Sequence, residues 1–95
     1  MFVLISYDIG QTATKAGRTR LRRVAKLCED VGQRVQFSVF EVTLGRTHWA
    51  KLRLKLLESY DARQDSLRFY YLGEHAPHEH HGIKPSFDFG GPLLF

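Results

Sequence analysis

Ninety-five residues with a formal net charge of +4 describe one small domain with no room for a second core. The apolar run Phe2–Ile5 is too short for a signal peptide or a membrane span, so a cytoplasmic protein without membrane association is expected. The lone Cys28 excludes an internal disulfide and falls at a core-phase helical position, as a buried, inert thiol would.

A chain of this size buries roughly 65% of its unfolded surface, so its stability is marginal and a partner chain would help. The charge is modest in sum but concentrated. Seven of the fourteen Lys and Arg lie between Lys15 and Arg34, against only Glu29 and Asp30. Such a face suits a polyanion, or it is a solvated helix surface.

Phe2–Asp8 opens the chain as a strand. Phe, Val, Leu and Ile in succession leave neither face polar, as in a central strand buried on both sides. It ends in Ser6–Tyr7–Asp8, and an acid there is costly to bury unless it is paired, metal-bound or at the rim. Gly10–Gly17 reads as a loop with Thr12 or Thr14 as a helix cap.

The first helix is predicted over about Thr14–Asp30. Leu21, Val24, Cys28 and Val31 form its apolar stripe, and Gly32 is a C-terminal stop. Arg18, Arg22 and Lys26 stack four apart on another face, with Arg20 and Arg23 flanking the stripe. Cations near a helix start oppose the macrodipole, which fits a phosphate-facing role better than stability alone.

Gln33–Leu44 alternates in two halves of opposite phase. Val35, Phe37 and Val39 share one face, and then Phe40, Val42 and Leu44 become the apolar set. One straight strand cannot bury both sets against one core. A bulge or sharp break near Ser38–Phe40, giving two short strands, resolves the conflict.

Gly45 then turns the chain, and Thr47 caps a second helix over about His48–Tyr60 with Trp49, Leu52, Leu56, Tyr60 and Leu57 buried. Asp61–Asp65 is a polar connector. Ser66–Leu72 is a strand with Leu67, Phe69 and Tyr71 on one face and Arg68 and Tyr70 on the other. The element order is that of an α+β, ferredoxin-like βαββαβ sandwich, with two helices on one face of an antiparallel sheet. The second sheet face is left open as a candidate for dimerisation.

Glu74–Gly82 holds four histidines: His75, His78, His80 and His81. Pro77 and the absence of a periodic scaffold point to an exposed, flexible loop rather than a designed metal site. Residues 1–80 are expected to form the core of a single domain over 1–95. The tail 81–95, closing with Pro92–Leu93–Leu94–Phe95, is expected to add a short edge strand to its own sheet or to a partner's at a dimer interface.

The runs LISYD, AGRTRLRRVAKLCEDVGQRVQFSVFE and the closing GPLLF, taken together, resemble CRISPR-associated protein two over the whole chain. That protein is the small dimeric subunit of the spacer-acquisition machinery. The resemblance implies a ferredoxin-like homodimer whose broken second strand matches the phase flip. It places Asp8 near the dimer axis, where two copies together hold Mg²⁺ or another divalent cation such as Mn²⁺. It maps nuclease positions onto Asp8, Arg23, Arg34 and Phe40, the last as an interface-packing or base-stacking group. Ser38, between them, is a polar ligand or a turn residue. Arg18, Arg20, Arg22 and Lys26 would contact the nucleic-acid backbone, giving affinity without sequence choice.

Each position also has a plainer role. Asp8 caps a turn, the arginines bind phosphate or a neighbouring acid, and Phe40 packs. Two functions stay open at this point. One is a metal-dependent endonuclease acting on RNA, double-stranded DNA or both. The other is a non-catalytic scaffold that bridges copies of the integrase, CRISPR-associated protein one, and carries DNA on its basic surface. A toxin-like ribonuclease is a third.

Overall fold

A computed structural model describes residues 1–72 and 78–82. In chain order the elements are β1 (Phe2–Asp8), α1 (Lys15–Glu29), β2 (Gly32–Gln36), β3 (Val39–Thr43), α2 (Arg46–Ser59), β4 (Ser66–Tyr71) and β5 (His78–Gly82). The strands form one antiparallel sheet in the order β2-β3-β1-β4-β5. This is the α+β, ferredoxin-like sandwich anticipated from the element order, extended by a fifth strand. Among the described residues no helix is long and apolar enough to cross a membrane.

β1 is central because its residues suit burial. Ile5 stands opposite both Phe40 of β3 and Phe69 of β4, and all three are 1% exposed or less. Val3, Ile5 and Tyr7 join Phe40, Val42, Leu67 and Phe69 beneath the helices. Val24 and Cys28 of α1 and Trp49, Leu52 and Leu56 of α2 complete that core. By alternation, Leu4, Ser6 and Asp8 face away from the helices. Arg68 and Tyr70 of β4 share that second face, opposite Ser6 and Leu4, and are 7% and 3% exposed.

Thr14, not Thr12, caps α1, its Oγ1 accepting from the Gly17 N–H at 3.0 Å. Asp30 closes the helix. Gly32, expected as the stop, instead opens β2. A Cβ there would meet Val42 Cγ1 at 2.6 Å and the Glu41 carbonyl oxygen at 2.8 Å, so only glycine allows this approach to β3. Val31, placed in the apolar stripe by its spacing, is 43% exposed because the helix has ended before it. α2 starts earlier than expected, with Gly45 as its cap and no side-chain hydrogen bond, so Thr47 lies inside the first turn.

The phase flip marks a reversal of direction. β2 and β3 form a hairpin through the two-residue turn Phe37–Ser38, and the register shifts between Arg34 and Gln36. The buried set is Phe40 and Val42, whereas Val35 and Phe37 are exposed.

Two further differences concern loops. Asp65, placed in a polar connector, is fully buried and receives hydrogen bonds from the Gly10 N–H (2.9 Å), the Asp61 N–H (2.8 Å) and Arg20 Nε (2.9 Å). It fastens the loop after β1 to the loop before β4. Within the histidine segment, His78–Gly82 pairs along β4, so this stretch is a strand rather than a flexible loop. β4 supplies a ladder that the local sequence does not advertise. Arg53 of α2 secures the new strand by a bidentate pair with Glu79, at 3.1 and 2.6 Å. β5 runs through Gly82. His75 and the tail 83–95, with its expected edge strand, lie outside the described residues.

Candidate nuclease site

Asp8 ends β1 opposite Ser66, and its side chain is exposed on the face away from the helices. It lines an open depression of about 450 Å³ together with Ser6, Thr12, Leu21, Ser38 and Arg68. The strand pairing explains this grouping. Ser6 is two residues before Asp8 on the same face, and Ser6 stands opposite Arg68. Ser38 arrives from the hairpin turn, held by a hydrogen bond from the Tyr7 N–H to its carbonyl oxygen at 3.1 Å. The depression is therefore lined by a carboxylate, hydroxyls and the edge of a largely buried guanidinium.

Asp8 is the only acid in this lining, and among the described residues no group of three His, Cys, Asp or Glu gathers anywhere as a ligand set. The donors suit Mg²⁺ in kind, being oxygens beside open solvent. In number they suit it only if a second copy contributes another Asp8.

Arg34 and Phe40 lie on the other side of the sheet. Phe40 is 1% exposed, stacked near-parallel to Tyr7 with ring centroids 6.2 Å apart. In this chain it is a packing residue, the plainer of the roles expected for it. Arg34 lays its guanidinium carbon 4.7 Å from the Phe40 ring centroid. Its Nη2 pairs with Glu29 Oε2 at 2.6 Å, and its Nη1 donates to the Phe37 carbonyl oxygen. It braces the turn from behind. Burial raises the Tyr7 hydroxyl above its ordinary pKa, with Cys28 adding to the rise and Arg34 opposing it. Burial likewise pushes the Cys28 thiol up to about 12, as an inert cysteine requires.

The cations of α1 divide. Arg18, Arg22, Arg23 and Lys26 are exposed, Arg18 donating to the Ala13 carbonyl oxygen at 2.8 Å and Lys26 pairing with Asp30 at 2.9 Å. Arg20 instead turns inward to Asp65 and is 15% exposed, so it is spent on structure rather than on the basic face. Neither Arg23 nor Arg34 lines the Asp8 depression. Arg68, which does, is not singled out by sequence reasoning. Its phase on β4, matched to Ser6 on β1, is the available signal.

A family profile described as CRISPR associated protein Cas2 matches residues 1–79. The chain belongs to the Cas2 family. It is 52% identical to the CRISPR-associated endoribonuclease Cas2 of Chlorobaculum tepidum, with 99% of each chain covered. It is 48% identical to the CRISPR-associated endonuclease Cas2 of Halalkalibacterium halodurans over the full length of both. A crystal structure of Streptococcus pyogenes Cas2 at pH 6.5 superposes with a TM-score of 0.69 at 49% identity, covering 77% of this chain and 87% of that one. The Cas2 fold is thus shared, and the Asp8 depression sits at the end of its central strand.

Proposed function

We propose that this Cas2-family chain is a homodimeric, metal-dependent endonuclease of the CRISPR adaptation system that hydrolyses phosphodiester bonds. The observation carrying the proposal is Asp8: an exposed carboxylate at the end of the central strand, in a depression shared with Ser6, Ser38 and Arg68. Relatives of similar length bear endoribonuclease and endonuclease names, and RNA is the substrate we favour.

Two Asp8 side chains meeting across a two-fold axis would hold Mg²⁺ or Mn²⁺. Such an ion supplies charge neutralisation at the phosphate and a more acidic water. The Asp8 carboxylates would be the groups that hold the ion, leaving its remaining positions to water. Ser38, fixed through Tyr7, limits how the strand can lie across the depression.

The test is Asp8→Asn in the purified dimer. Mg²⁺-dependent cleavage is expected to fall at least about a hundredfold, the order of a lost acid–base or metal-binding group, while dimerisation and RNA affinity stay near wild type. Cleavage at the wild-type rate would place the activity elsewhere.

A second reading is favoured by the exposed Arg18, Arg22, Arg23 and Lys26 along α1. In it the dimer is a scaffold that carries DNA and bridges copies of CRISPR-associated protein one, and Asp8 is dispensable for that role.

A further inference from the structure

Phe37 is 92% exposed, the most exposed large apolar side chain among the described residues, and Val35 beside it is 51% exposed. An aromatic ring in water forgoes the burial that would stabilise it, so its outward placement calls for an occupant. The ring does not stand on a loose loop. The Tyr7 N–H holds the Ser38 carbonyl oxygen at 3.1 Å, and Arg34 donates to the Phe37 carbonyl oxygen. Arg34 is itself fixed by Glu29 at 2.6 Å and by the Phe40 face.

The position is informative. Arg34, Val35, Gln36 and Phe37 line an open hollow of about 540 Å³, and the next residue, Ser38, lines the Asp8 depression. The Phe37–Ser38 turn is the wall between them. The patch is one ring and one valine, far below the roughly 800 Å² per partner of a stable protein interface. A single planar base matches it in size, and Arg34, still 43% exposed, adds a cation within the same hollow.

We infer that Phe37 is a stacking platform for an unpaired base of single-stranded RNA, which holds the strand so that a neighbouring phosphodiester lies in the Asp8 depression. This rests on the nuclease reading for the direction of the strand. The stacking itself is separable from cleavage. Phe40 has the chemistry for stacking but is buried, and the turn presents Phe37 in its place.

The probe is a single-stranded RNA oligonucleotide carrying one 2-aminopurine, titrated with Asp8→Asn protein so that nothing is cut. Adding Phe37→Ala is expected to weaken binding roughly tenfold, the loss of about one base stack, and to remove the fluorescence quench. Phe37→Trp should restore both, Phe37→Leu should restore neither, and the salt dependence should be unchanged because the ring neutralises no phosphate. An unchanged affinity and quench in Phe37→Ala overturns the inference. So does conversion to monomers in sedimentation velocity, which makes the ring part of the subunit interface. An equal loss on blunt double-stranded DNA overturns it too, since paired bases present no free face. If Phe37-dependent binding holds while wild-type protein shows no Asp8-dependent cleavage, the nuclease reading fails and the stacking platform stands.

Discussion

Arg20 reaches from α1 to Asp65, forty-five residues later, and closes an ion pair at 2.9 Å in which the acid is fully buried. Its Nη2 also donates to the Gly10 carbonyl oxygen at 2.9 Å. Removing one partner of such a pair strands a buried charge. Arg20→Ala is expected to lower unfolding stability by about 3 kcal/mol, read from the urea midpoint, whereas Arg22→Ala stays within about 0.5 kcal/mol of wild type. A stable Arg20→Ala protein with weakened nucleic-acid binding would return Arg20 to the basic face.

The cations that remain outside should act through the polyanion's counterions. Arg18→Glu combined with Arg22→Glu should weaken single-stranded RNA binding and reduce the slope of log affinity against log salt by about 0.7 for each phosphate no longer neutralised. The measurement is a titration series between low and physiological salt. A slope equal to wild type would remove α1 from the interface.

Phe40 should behave as a core residue. Phe40→Ala is expected to cost about 3–5 kcal/mol through the cavity it leaves, and Phe40→Leu much less. Nuclease activity in both variants should follow the folded fraction measured by circular dichroism under the assay conditions. A fully folded Phe40→Ala protein without activity would restore a direct role.

Glu79 links β5 to α2 and carries a pH dependence of definite sign. Hydrogen bonding from Arg53 is the largest of the effects that lower its pKa from 4.5 to about 2. A carboxyl depressed in the folded state contributes stability that is complete above about pH 4.5 and lost as pH falls toward 2. Tyr71 donates to Glu79 and lies edge-on to Trp49, the only tryptophan, at 5.9 Å. Trp49 fluorescence should therefore report an acid transition in that window, and Arg53→Ala should move it to higher pH. An unmoved transition would detach Glu79 from the event.

Much of this architecture is readable in the sequence because local pattern and final burial agree. Phe2–Asp8 has no polar face until its end, and it is the middle strand. The change of phase at Ser38–Phe40 locates the hairpin. What alternation does not say is which half lies inside. It ranks Val35 and Phe37 equal to Phe40 and Val42, and only the closure of β3 onto β1 separates them. β5 escapes such reading because HEHHG has no apolar rhythm; β4 and Arg53 hold it from outside its own sequence. Asp8 is legible as a strand-end acid, but its neighbour Arg68 is sixty residues away and emerges only from strand pairing. Arg20 shows the opposite failure. Helical spacing gives its face but not the buried acid waiting opposite.

The irregular pairing between Arg34 and Gln36 also governs how copies of this chain can meet. Among the described strands β2 is outermost, and a shifted margin carrying Arg34 is a poor template for another molecule's backbone. Edge-to-edge pairing on that flank is disfavoured, so crowding should not readily drive fibres from the side that displays Phe37.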